Sequence, residues 1–247
     1  MRLLLANPNT TQAVTDTIAA AARDAASAGT DIKAVTGRFG GRVIGTRTEM
    51  AIAEHAALDL LAREADGCEA AIIGASVDSG LRAAREMLAV PVLGLTESAL
   101  HVACLTGARF GTVTLSRRSF YPLREMIEGY GLLTRCGGMR LVDVSPLDLL
   151  AAPDKVGALI AEQASDLVVR DMVDVIVLIG AVMAPMPALV QPRVAVPVVE
   201  GVRSAVVLAE ALARLRLPKP RDGSYAALPA RELVGIDPAL AARFAGG

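Results

Sequence analysis

The sequence predicts an α/β protein made of two pseudo-symmetric, Rossmann-like lobes with parallel sheets and a ligand cleft between the lobes. Three observations carry that expectation. Short apolar runs alternate with Ala-rich helical stretches, the pattern of βαβ units and parallel sheets. The pattern then restarts, and landmarks in the two halves coincide at an offset of 106 residues. Finally, 53% of the 247 residues are hydrophobic and only 3% aromatic. Val, Leu, Ile and Ala must therefore fill the core, as suits strands buried on both faces under Ala-rich helices.

Leu3 to Leu5 reads as a strand, Thr11 to Ala26 as a helix, Ile32 to Val35 as a strand and Thr48 to Ala65 as a helix. Ala70 to Ile73 is a strand, Leu81 to Leu88 a helix, Val90 to Leu93 a strand and Thr96 to Leu105 a helix. Phe110 to Thr114 begins the second series, which includes the apolar run Val175 to Ile179. Beyond Pro218 the chain reads as a loop followed by a short helix from Pro238 to Phe244.

Four landmarks define the repeat. Gly74-Ala75 falls on Gly180-Ala181, Ala89 to Val92 on Ala195 to Val198, Ser98-Ala99 on Ser204-Ala205, and Asn7 to Thr10 on Val113 to Ser116. A repeat of this kind predicts two similar lobes, with residues 1–98 plus 206–247 in the first and 99–205 in the second. Ligands of parallel α/β sheets bind beyond the carboxyl ends of the strands. The cleft should then be lined by Asn7 to Thr11, Ala75 to Gly80, Thr114 to Arg118 and Ala181 to Met186. Asn7, Asn9, Thr10, Thr11, Ser79, Thr114 and Ser116 are its polar candidates. Taken singly, Asn7 to Thr11 and Asp78 to Gly80 read equally well as helix caps.

A formal charge of −1 offers no basic excess to neutralise phosphates, which argues against nucleic acid as a partner. No apolar run reaches the roughly 18 residues of a membrane helix. The opening Met1 to Ala6 is interrupted too early for a secretory core. Cys68, Cys104 and Cys136 are odd in number and widely spaced, so they suggest neither a disulfide framework nor a metal site, and a reduced cytoplasmic setting is expected. Cys136 reads as a loop residue. His55 and His101 stand in no metal motif, and Gly40-Gly41 lacks phosphate-loop spacing. No cofactor and no metal are expected. Arg47 is a candidate for an anionic group of a small-molecule substrate, with Arg42, Arg117 and Arg118 nearby.

The strand followed by Asn7-Pro8-Asn9-Thr10-Thr11 resembles the opening of the aspartate/glutamate/hydantoin racemases, above all the hydantoin and allantoin racemase branch. Ser76-Val77-Asp78-Ser79-Gly80-Leu81 with Ala83 to Glu86, Pro91 to Ala99 and Pro197 to Val202 are similar to that branch as well, so the resemblance covers residues 1–213. It implies a homo-oligomer acting on a small carboxylate, amino acid or hydantoin-like cyclic amide. It also implies a cysteine on each of two loops, where this chain has Ala75 and Ala181, with Val182 beyond the second.

The missing thiols bear directly on the chemistry. Racemisation beside a carbonyl needs acid/base groups on opposite faces of the carbon. A thiol near pKa 8.5 can serve as both acid and base, and alanine as neither. Ser76, activated by Asp78, is then the leading catalytic candidate, with Glu200 a third. Three readings stay open: an enzyme working without cysteines, a racemase inactivated by Cys-to-Ala replacement, and a non-catalytic ligand-binding homologue.

Overall fold

The computed structural model describes residues 1–245. Two separate four-stranded parallel sheets form its centre. The first contains β1 (Arg2–Asn7), β2 (Asp31–Thr36), β3 (Ala70–Ile73) and β4 (Val92–Gly94), in the order β2-β1-β3-β4. The second contains β5 (Phe110–Leu115), β6 (Cys136–Val142), β7 (Val175–Ile179) and β8 (Val198–Glu200), in the order β6-β5-β7-β8. The two orders are equivalent, as the repeat requires.

Each sheet is buried on both faces, which explains the uninterrupted apolar runs. Leu3, Leu5 and Ile72 pack on one side with Ile18 and Ala22 of α1 (Gln12–Ala25). Leu4, Ala6 and Ile73 pack on the other with Leu60 and Leu61 of α2 (Arg47–Glu64) and Leu81 of α3 (Leu81–Met87). In the second sheet, Val113, Ile176 and Leu178 meet Ile160 and Leu167 of α7 (Pro153–Asp171). Phe110, Val175 and Val177 meet Leu123 and Ile127 of α5 (Arg117–Gly129).

The lobes exchange helices. α4 (Leu95–Thr106) follows β4 of the first sheet, yet Ala99, Leu100 and Ala103 pack into the second lobe with Phe110 and Val177. α9 (Gly201–Leu215) follows β8, yet Val202, Ala205, Val206 and Ala209 pack under Leu3, Leu5 and Ile72 of the first sheet. The two helices meet at their starts, where a Cβ on Gly201 would lie 2.6 Å from Leu95 Cβ. Only glycine permits that approach.

α6 (Pro146–Ala151) and α8 (Pro187–Val190) are short helices of the second lobe. The tail runs back over the first lobe. Lys219 Nζ donates to the main-chain oxygens of Arg85, Glu86 and Leu88 at 2.8 to 2.9 Å, closing the carboxyl end of α3. α10 (Pro238–Ala242) follows, and Arg243 ties its end to α2 through the Ala62 carbonyl. Residues 246 and 247 of the range assigned to the first lobe lie outside the described residues.

Two sequence expectations need correction. Cys136 opens strand β6 instead of lying in a loop. The repeat is also not uniform. α2 and α7 begin at Arg47 and Pro153, and β4 and β8 at Val92 and Val198, but β1 ends at Asn7 and β5 at Leu115. Asn7 therefore corresponds to Leu115, two residues beyond the position that a constant offset gives. The shift is already present where β5 begins, at Phe110 against Arg2, and the short turn after the strand takes it back. Ser116 alone joins β5 to α5, where residues 8–11 join β1 to α1.

Candidate active site between the two sheets

A cavity of about 440 Å³ opens at the carboxyl ends of both sheets. All four predicted segments reach it. Asn9 comes from the loop after β1, Ala75 and Ser76 from the loop after β3, Thr114 and Ser116 from the end of β5, and Ala181 and Val182 from the turn after β7. The single-residue turn holds Ser116 at φ +67°, a conformation unfavourable for a side chain with a Cβ. Ser119 steadies it by donating from Oγ to the carbonyls of Leu115 (2.8 Å) and Ser116 (3.0 Å).

Asn9 is nearly buried, and its Oδ1 accepts from Thr11 N (2.9 Å) and Asn7 Nδ2 (3.0 Å). Its own Nδ2 makes no hydrogen bond among the described residues, and Asn9 lines the cavity. The amide is thus a free donor for a ligand carbonyl.

Two further pieces of wall were not anticipated. Val43, Ile44 and Gly45 come from the connection between β2 and α2, and Glu49 from the first turn of α2. Asp143, Val144 and Ser145 come from its counterpart after β6, and Pro146 and Asp148 from the first turn of α6. Their signal is a pair of capping boxes, Thr46 with Glu49 and Ser145 with Asp148. Glu49 Oε2 accepts from Gly45 N (2.9 Å) and Thr46 N (2.8 Å), and these bonds hold its pKa below the ordinary carboxylate value. Ser145 does the same for Asp148. The wall thus holds three carboxylates, and no Lys or Arg among the described residues lines it.

Several candidates lie behind the wall. Asn7 is fully buried and donates to Asn9 and to Thr15 Oγ1 (2.9 Å), so it shapes the loop. Thr10 and Thr11 bond to the carbonyls of Gly41 and Arg42. Arg47 points outward to Glu125 of the second lobe at 2.7 Å, with 64% of its side chain exposed. The Ser79 hydroxyl is buried and makes no hydrogen bond among the described residues.

The pairing of Asp78 with Ser76 requires correction. Asp78 sits at φ +45°, and its carboxylate accepts from Thr96 N (3.0 Å), Glu97 N (2.8 Å) and Tyr130 Oη (2.7 Å). It caps α4 in place of the N-cap residue, Gly94, which has no side chain to offer. A Cβ on Gly94 would collide with that carboxylate. Burial raises the Asp78 pKa to about 7 despite these hydrogen bonds. Glu200 is likewise engaged, accepting from Val202 N (2.6 Å) and Arg203 N (2.7 Å) as the N-cap of α9, and burial raises its pKa too. Neither carboxylate lines the cavity. Ser76 does, and no base is bonded to its hydroxyl; its carbonyl accepts from Thr96 Oγ1 (2.7 Å).

No thiol replaces those missing from Ala75 and Ala181. Cys68 is buried beneath the first sheet and bonded to the Glu64 carbonyl, and burial raises its pKa. Cys104 and Cys136 pack at the edge of the core between α4, α5 and β7. None of the three lines the cavity. Among the described residues no group of His, Cys, Asp and Glu could hold a metal ion, and no helix is long and apolar enough to cross a membrane.

Two equivalent parallel sheets, exchanging helices and closing on one small cavity at their strand ends, define a two-lobed α/β protein with a small-molecule cleft. The Asp/Glu/hydantoin racemase family matches residues 3–209, and the chain belongs to that family. A hydantoin racemase from Pseudomonas sp. (strain NS671) is 30% identical over 236 residues, 95% of each chain. The solved structures of two allantoin racemases superpose with a TM-score of 0.92 at 32% identity. The protein from Klebsiella pneumoniae covers 97% of this chain and 98% of its own, and that from Pseudomonas fluorescens 95% and 100%.

Proposed function

We propose that the cleft binds a hydantoin-like cyclic amide and that its chemistry is cysteine-independent and one-sided, with Ser76 and Glu49 of the first lobe as the polar groups that meet the ligand. The observation that carries this reading is the pair Ala75 and Ala181, both on the cavity wall with no thiol beside them. A proton cannot be removed from one face and returned on the other by two methyl groups. Glu49 is held ionised and is therefore a weak base, so turnover by this route is slow.

The wall chemistry favours a neutral ring over a dicarboxylate. Glu49 and Asp148 accept ring N–H groups and repel carboxylates, while Asn9 Nδ2 donates to a ring carbonyl; Asp143 is already paired with Arg117. Relatives that act on hydantoin and allantoin support the same ligand class. Isothermal calorimetry with hydantoin, L-aspartate and L-glutamate tests the assignment. Hydantoin should bind at least about tenfold more tightly than either amino acid, the equivalent of ~1.4 kcal/mol. Equal or reversed affinities would contradict it.

A second reading has one observation in its favour: both positions where the family resemblance implies a thiol hold alanine, and both line the cavity. On that reading the chain is a racemase inactivated by two replacements, and restoring both cysteines should restore racemisation.

A further inference from the structure

The polar pair that closes the Asn-Pro-Asn-Thr-Thr segment was expected to touch the ligand, but it faces another part of the chain. Residues 37–46 connect β2 to α2 without regular structure and carry Val43 and Ile44 to the cavity. The near end of this segment is held by Gly37 N, which donates to the carbonyls of Asn7 (2.7 Å) and Asn9 (3.1 Å). The far end is held by the capping box of Thr46 and Glu49. The middle is held by the threonines. Thr10 N donates to Gly41 O (3.1 Å), the Thr10 hydroxyl makes a longer contact to the same oxygen (3.4 Å), and Thr11 Oγ1 donates to Arg42 O (2.7 Å).

Thr11 occupies the N-cap of α1, where a threonine hydroxyl ordinarily accepts from an N–H of the first turn. Here it makes no such bond and is turned to Arg42 instead. α1 forgoes a side-chain cap, and the connection above the cleft gains an anchor directly beside Val43. Val43 and Ile44 share the cavity with Val144 and Pro146 of the second lobe and Val14 of α1. These side chains give the cavity apolar wall beside the polar Asn9 and Ser76, which suits a ligand ring that carries an alkyl or aryl substituent.

We infer that Thr11, assisted by Thr10, is a positioning residue that seats residues 37–46 over the cleft and thereby sets its affinity for ligands with an apolar substituent. The inference rests on the cyclic-amide reading for its ligand class and on the observed hydrogen bonds for its mechanism. Losing the Thr11 hydroxyl frees Val43 and Ile44 from their place, while Asn9, Ser76 and the Thr46–Glu49 capping box keep hydrogen bonds that do not involve it.

The test compares Thr11→Val, which keeps the shape and removes the hydroxyl, with Thr11→Ser, which keeps the hydroxyl. Calorimetry measures binding of hydantoin and of 5-benzylhydantoin to each full-length chain, and hydrogen–deuterium exchange follows residues 37–46. Thr11→Val should weaken 5-benzylhydantoin binding about fivefold, the scale of one hydrogen bond. Hydantoin affinity should be unchanged, exchange over 37–46 should accelerate, and Thr11→Ser should restore wild-type behaviour. Equal weakening of both ligands, or no weakening, overturns the inference. If the wild-type chain binds neither ligand, the cyclic-amide reading fails separately. Exchange over 37–46 then decides the positioning role, and protection unchanged in Thr11→Val overturns it.

Discussion

The two lobes solve one problem in different ways. Each sheet ends in a short strand that runs directly into a long helix, and each helix needs an acceptor for its first N–H groups. In the second lobe Glu200 caps its own helix, so the loop after β7 has no polar duty and is apolar throughout. In the first lobe the cap position is Gly94, and the acceptor is Asp78, brought from the loop after β3. That remote cap also takes the Tyr130 hydroxyl from the second lobe, so one buried carboxylate fixes a cavity loop, a helix start and the neighbouring lobe together. The loop carrying Ala75 is tied down by a side-chain carboxylate, and that carrying Ala181 by its own main-chain hydrogen bonds and apolar packing. The difference places the carboxylate nearest Ser76 in sequence in the framework of the cleft, off the cavity wall.

The largest effect should come from Asp78→Ala. It strands two helix N–H groups and a buried phenol, and should lower stability by about 3 kcal/mol in urea unfolding. Glu200→Ala removes a cap that serves only its own helix and should cost less, about 1 to 2 kcal/mol. A Glu200→Ala cost equal to or above that of Asp78→Ala would break the comparison.

The pH dependence sharpens it. Burial raises the folded Asp78 pKa from 3.8 to about 7. Below the lower value both folded and unfolded chains are protonated. Between about 4 and 7 the unfolded chain releases the proton that folded Asp78 retains, so this group's contribution falls as pH rises and levels above about 7. Unfolding free energies from pH 4 to 8 should therefore fall less steeply with pH in Asp78→Asn than in the wild type, and identical slopes would contradict the assignment. The smallest effect is expected for Tyr130→Phe, about 1 kcal/mol. It should also move the Asp78 transition upward, because a hydrogen bond that favours the carboxylate is lost.

The lobes and the strand-end loops were legible in the sequence because both leave periodic marks: apolar runs broken by helices, and landmarks at a fixed spacing. Ala75, Ser76, Ala181 and Val182 reach the cavity for that reason. Side-chain direction leaves no such mark. Asp78 stands two residues from Ser76 and reads as its companion, but a left-handed backbone turns it toward α4. Thr11 and Arg47 lie near the cleft in sequence order and point elsewhere. Glu49 and Asp148 were readable as N3 residues of capping boxes, and their place on the wall depends on how the second strand of each sheet delivers its loop. The two-residue slip at β5 was hidden because the single-residue turn at Ser116 absorbs it before α5 begins.

The central claim concerns the methyl groups of Ala75 and Ala181 on the cavity wall. An enantiopure 5-substituted hydantoin incubated in heavy water, followed by NMR for deuterium at C5 and by polarimetry for configuration, tests it directly. The wild-type chain should leave the configuration unchanged above the uncatalysed rate, and Ala75→Cys combined with Ala181→Cys should racemise the compound with deuterium uptake. Enzyme-dependent racemisation by the wild-type chain would show a second proton carrier in the cleft and contradict the account.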